Sequence, residues 1–153
     1  MDDTDNAVTM SVVSRIRGGR RLIEWFHGSL EFGDAEVVEL RLVRREPGIL
    51  RIRQSISEDG PRGRAAFKAA LISFSLCYVL EVAIQGFSHQ NVVGGLKIRK
   101  MKPMQLPPSL VGIGIDLPEH ELELEPCAGA FGIIRATIET ITLEVVAARQ
   151  PQP

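Results

Sequence analysis

From residue 37 onward, apolar and polar positions alternate with a period of two, and that alternation defines most of the chain. Val38, Leu40 and Leu42 fall on one side of an extended segment and Val37, Glu39 and Arg41 on the other. Arg45-Glu46-Pro47-Gly48 is a turn signal. Beyond it, Leu50, Ile52 and Ile56 alternate against Arg51, Arg53 and Ser55, which predicts a hairpin partner. Ser57 to Gly63 reads as a polar loop. The next run decides the fold class. From Ala70 to Ile84 the even positions are Ala70, Ile72, Phe74, Leu76, Tyr78, Leu80, Val82 and Ile84, whereas the odd ones include Ser73, Ser75, Cys77, Glu81 and Gln85. A helix turning about 100° per residue scatters those polar side chains, whereas a strand collects them on one side. Its length calls for a bend or a junction of two strands near Cys77. Leu, Ala and Cys have modest strand propensity, so a helix over residues 65–85 stays open as the alternative.

Further strands are predicted at Leu96–Met101, Leu110–Leu117 and Glu121–Glu125. The run from Phe131 to Val146 changes phase. Ile134, Ala136 and Ile138 point inward first, then Ile141, Leu143 and Val145, which places a β-bulge near Glu139-Thr140. One short helix precedes the strands: Leu22, Trp25 and Phe26 share a face, with Trp25 as a core anchor and Gly28 as the stop. These elements predict a mainly β (α+β) fold, a single antiparallel β-rich domain forming a sandwich or strongly curved sheet with a short N-terminal helix packed on it. Residues 1–7 read as a disordered N-terminal tail, 8–149 as the domain and 150–153 as a C-terminal tail.

Composition adds little to this picture. The chain has 153 residues, 44% hydrophobic and 24% charged, enough for one domain with a real core. A formal net charge of -1 gives no overall basic field to gather nucleic acid. The start, Met1-Asp2-Asp3-Thr4-Asp5-Asn6, is acidic where a secretory signal is basic, and no stretch approaches the ~20 apolar residues of a membrane span. The expectation is a soluble, cytoplasmic protein bound to neither membrane nor nucleic acid. Cys77 and Cys127 form no metal-ligand or disulfide framework, and are expected as free thiols.

Candidate chemistry is sparse. His27, His89 and His120 lack the spacing of a zinc site. His120, within Pro118-Glu119-His120-Glu121, reads as part of a solvated turn rather than a metal ligand. No nucleophile elbow or phosphate-binding glycine loop is present, and no cofactor is expected. Asp34 and Glu36 lie two apart at a strand start, on one side. Asp34 is suited to brace its loop by accepting backbone N–H bonds, and both are candidate partner-binding residues. His89, Gln90 and Asn91, between Phe87 and Val92-Val93, can tie a turn or hold a partner's loop. Glu119, Glu121 and Glu123 continue towards Glu125, alternating with Leu122 and Leu124, which predicts an acidic row on an open face. Such a row keeps a strand soluble and also attracts a cationic partner.

Three short motifs carry a family resemblance. Trp25-Phe26 is followed by Phe32-Gly33-Asp34-Ala35-Glu36-Val37; then come Gly86-Phe87-Ser88-His89-Gln90-Asn91-Val92 and Leu124-Glu125-Pro126. In this order they resemble the immunity protein 50 family of bacterial polymorphic toxin systems, over roughly residues 20–146. Gly33 stands where the family pattern favours His. The resemblance implies a small intracellular, non-enzymatic antidote that binds a cognate toxin domain and blocks it, with no catalytic residues to carry over. The alternative follows from the helical reading of residues 65–85, which loosely resembles a hot-dog-fold acyl-CoA thioesterase or dehydratase. Against it, the His that precedes that helix is missing, and Glu81 comes too late for the early acidic residue.

Overall fold

The structure, a computed structural model, describes residues 3–59, 65–102, 108–110, 112 and 117–147. Two helices come first, α1 (Asp3–Ser14) and α2 (Gly19–Trp25). The expected disorder up to residue 7 is therefore corrected: the helix starts at Asp3, and its first turns are tied to the sheet. Asp5 pairs with Lys97 at 3.0 Å, and the buried Thr9 hydroxyl accepts the Ile98 N–H at 3.2 Å. The expected tail at residues 150–153 and the loop at 60–63 lie outside the described residues. So does most of the Leu110–Leu117 strand, preceded by a 3-10 turn at Pro108–Leu110.

The amphipathic spacing of α2 buries Leu22, Trp25 and Phe26 as expected. Its end is closed by two backbone bonds, Gly28 N–H to Ile23 O at 2.9 Å and His27 N–H to Glu24 O at 3.0 Å. This is the Schellman pattern, with His27 at φ 56° in the left-handed position and Gly28 just beyond. Trp25 meets Phe26 edge-on at 5.0 Å, and Phe26 meets Phe32 at 5.1 Å, so the aromatics before the sheet form one continuous stack.

Seven strands follow: β1 (Ala35–Arg41), β2 (Gly48–Asp59), β3 (Ala65–Gln85), β4 (Val92–Val93), β5 (Gly95–Lys100), β6 (His120–Glu125) and β7 (Phe131–Val146). They form one antiparallel sheet in the order β4-β1-β2-β3-β7-β6-β5, curled into a half-barrel. Residues 65–85 are a single strand, so the helix on which the hot-dog alternative rested is absent. β3 and β7 run through both halves of the sheet. Residues 65–76 of β3 pair with β2, and beyond the Cys77–Glu81 irregularity β3 continues along β7, which there carries β6.

The expected bulge in β7 is present. Ser75 faces Thr140 and Leu76 faces Ile138, leaving Glu139 as the extra residue. That single insertion moves the inward set from Ile134, Ala136 and Ile138 to Ile141 and, partly, Leu143, while Val145 stays exposed. β1 differs from its expected alternation. Its register slips between Val37 and Glu39, so Val37 is buried while Val38 turns out to solvent. The core joins the concave side of the sheet (Leu50, Ile72, Phe74, Leu96, Leu122, Ile134) to Val13, Ile16 and Leu22 of the helical segment. Arg17 and Gly18, between the helices, run beside β7, where Ile141 N–H donates to Arg17 O. Both cysteines are free.

Candidate partner-binding surface

The three motifs, separated by up to about a hundred residues, meet at one corner, where the chain links the two ends of the strand order. Val92 and Val93 pair with Ala35 and Glu36 of β1, while two residues later Gly95 begins its pairing with Glu125 of β6. One stretch of chain thus serves both ends of the strand order, turning at Gly94. Asp34 N–H donates to Val93 O at 3.0 Å, Val37 N–H to Asn91 O at 2.9 Å, and Gly94 N–H to Glu125 O at 2.9 Å. Val92 and Ala128 exchange backbone bonds in both directions, at 2.7 and 3.0 Å.

This corner explains the residue types of the motifs. Asp34 (φ 60°) and Asn91 (φ 46°) both hold left-handed backbone, which Asn and Asp tolerate best among non-glycine residues. Asn91 also ties its own turn: its side-chain oxygen accepts Ser88 N–H at 2.8 Å, and the Ser88 hydroxyl accepts from Gln90 and Asn91. Gly129 must be glycine, because at φ 122° an added Cβ would stand 2.5 Å from Asn91 Cα. Gly33 is different. A Cβ there would meet only Gly94 O, at 3.8 Å, so the position has room for a side chain.

Asp34, Glu36 and Asn91 are therefore brought together, with His89 and Gln90 exposed on the adjoining turn. Asp34 braces its loop through its backbone N–H, whereas the expected bracing was by its carboxylate. Beside it lies a cavity of about 410 Å³ bordered by His27, Glu31, Asp34 and Gln54. Gln54 was not among the residues singled out. It occupies an inward position between Ile52 and Ile56, and that break in the apolar phase is the signal that marks it. Its buried amide donates to Gly33 O at 3.0 Å and Ser55 O at 3.2 Å, while Oε1 lacks a donor among the described residues.

Glu119, Glu121 and Glu123 stand elsewhere, at the head of and along β6. The acidic row exists, but its neighbours neutralise it. The register sets Glu81, Arg135, Glu121 and Arg99 side by side on four adjacent strands. Arg99 donates to Glu121 at 2.7 Å and lies 3.6 Å from Glu123, and Arg135 reaches both Glu121 at 3.4 Å and Glu81. Hydrogen bonding from Arg99, offset by burial, holds the Glu121 carboxyl below the usual range. Lys97 takes up Glu125 and Asp5. Glu119 is exposed, and its backbone N–H donates to the Thr137 hydroxyl at 3.0 Å.

His120 is not in a solvated turn. It begins β6 buried, and its Nδ1 accepts the Ile138 N–H at 2.9 Å. That bond fixes the proton of the neutral ring on Nε2, and burial lowers the pKa. Among the described residues no His, Cys, Asp and Glu cluster has the arrangement to hold a metal ion, and no helix is long and apolar enough to cross a membrane. No family model, curated protein or solved structure matches the chain.

Proposed function

We propose that this chain is an immunity protein, an antidote that binds a cognate toxin domain and neutralises it by occlusion, without catalysing a reaction. The observation that supports this reading is the convergence of the motifs. Phe32–Val37 and Gly86–Val92 are far apart in sequence yet bonded to each other, and Leu124–Pro126 is held at the same corner two residues further on, where Gly94 N–H donates to Glu125 O. A chance likeness of three short strings has no reason to select residues that share one structural feature. The curled sheet is also suited to the task. Its backbone is fixed before binding, so little ordering entropy is lost when a partner docks over roughly 1,200–2,000 Å². The protein acts in the cytoplasm of the cell that makes the toxin.

The test is co-expression with the toxin domain encoded beside this chain. A complex that co-purifies, binds at nanomolar affinity in calorimetry and protects the expressing cell is the expected result. Absence of both binding and protection overturns the reading.

A further inference from the structure

We propose that the partner docks on the tip of the β1–β2 hairpin together with the β3 bulge, and that it presents an acidic, partly apolar surface there. The inference rests on the antidote reading and names the surface that the antidote uses.

The bulge is built in an unusual way. Between the pairs Cys77–Thr137 and Glu81–Arg135, β3 carries three residues where β7 carries one. Two extra residues leave the alternation intact, so Val82 and Ile84 return to the core side. Tyr78 does not. The sequence pattern puts it inward with Leu76, but at φ 50° it is turned out and 57% exposed. A bulky aromatic residue in left-handed backbone is a strained outlier, and such strain gathers at functional sites. Val79, next to it, is 38% exposed.

The hairpin tip completes the surface. Leu42 and Val43 are 50% and 40% exposed, and with Arg44, Tyr78 and Val79 they line one concavity of about 380 Å³. Arg44 and Arg45 form no ion pair among the described residues. Arg41 is 3.8 Å from Glu39, which is held more closely by Arg51 at 3.0 Å. Glu46 is the acidic residue within the concavity. Elsewhere on the sheet Arg51, Arg99 and Arg135 meet carboxylates of the same chain and Arg53 donates to Ala147 O; at the tip the carboxylates are left for a partner to supply. Tyrosine and arginine around a small apolar hollow are the residue types that dominate binding energy at protein interfaces.

The experiment uses the full chain and the adjacent toxin domain in an inactive form. Calorimetry and stopped-flow association compare wild type with Arg44→Glu/Arg45→Glu, Tyr78→Gly and Tyr78→Phe. Charge reversal is expected to weaken binding on the order of 100-fold and to slow association most at low salt. Tyr78→Gly is expected to lose roughly 30-fold with no fall in melting temperature, because glycine accepts the φ of 50° without strain. Tyr78→Phe keeps most of the affinity. Wild-type affinity in the double arginine variant overturns the docking surface and leaves the antidote reading standing. No binding by wild type overturns both. Self-association that the arginine variant abolishes, with toxin affinity unchanged, assigns the tip to a second copy and also overturns the proposal.

Discussion

The acidic row of β6 and the arginine tip of the β1–β2 hairpin are the two charged regions that most resemble binding surfaces, and they spend their charge differently. On β6, Glu121 lies between Arg99 and Arg135, and Glu123 is within 3.6 Å of Arg99. The ladder register itself sets these groups opposite one another, so their fields close within the molecule. At the tip, Arg44 and Arg45 follow the end of β1, outside the paired registers of the sheet, and the β3 residues beside Arg44 are Leu76, Cys77, Tyr78 and Val79, none of them a carboxylate. On β6 the paired strands answer the charge, whereas at the hairpin tip it is left for something else. The lesson is that a run of like charges in sequence does not by itself predict a surface of that sign.

This contrast divides substitutions into those that change stability and those that change binding. The largest effect is expected at Glu121. Its side chain is 14% exposed, and Glu121→Lys would put a third cation between Arg99 and Arg135. We expect a loss of about 2–4 kcal/mol, read as a lower urea midpoint. An unchanged midpoint would mean that the row is not structural.

Next comes the pH dependence of the same strand. His120 has its pKa lowered, so the stability it contributes is complete above the usual histidine range and is lost as pH falls through the lowered value. Glu121 is also lowered, so its contribution is complete above the usual carboxylate range and is lost as pH falls through that range to the lowered value. Unfolding curves should therefore weaken in two steps on acidification. His120→Asn keeps an acceptor for Ile138 N–H but does not titrate, and should remove the first step alone. A first step that survives in this variant assigns it to another group.

Smaller effects belong to exposed sites. Tyr78→Gly should leave stability unchanged or raise it by up to about 1 kcal/mol, because relief of the left-handed strain offsets the added chain entropy. A marked destabilisation would make Tyr78 a packing residue and blur the comparison. Glu123→Lys loses a partly exposed pair at 3.6 Å, worth about 0.2–1 kcal/mol. It should leave the association rate with a partner nearly unchanged, whereas a large, salt-dependent change would return the row to the interface.

Much of this fold was legible because alternation survives translation into structure. The strand nature of residues 65–85, the Glu139 bulge and the short aromatic helix all follow from which residues repeat on which face. The candidate site was legible only in part. Asp34, Glu36 and Asn91 drew notice as polar residues at strand junctions, but their meeting at one corner depends on backbone bonds between segments distant in sequence. Gln54 left a trace, as a polar residue on an apolar phase, whereas Arg45 read as the start of an ordinary turn and Arg44 drew no notice.

Two bulges mark the boundary between what the sequence by itself determined and what only the tertiary structure decided. One extra residue at Glu139 reverses the facing of everything after it, so the chain must change its apolar phase there, and that change is written in the sequence. Two extra residues after Cys77 restore the original facing, so the pattern runs on as though nothing intervened. The exposure of Tyr78 therefore has no signature in the alternation. It was decided by the pairing of β3 with β7, because periodicity records an odd insertion and is blind to an even one.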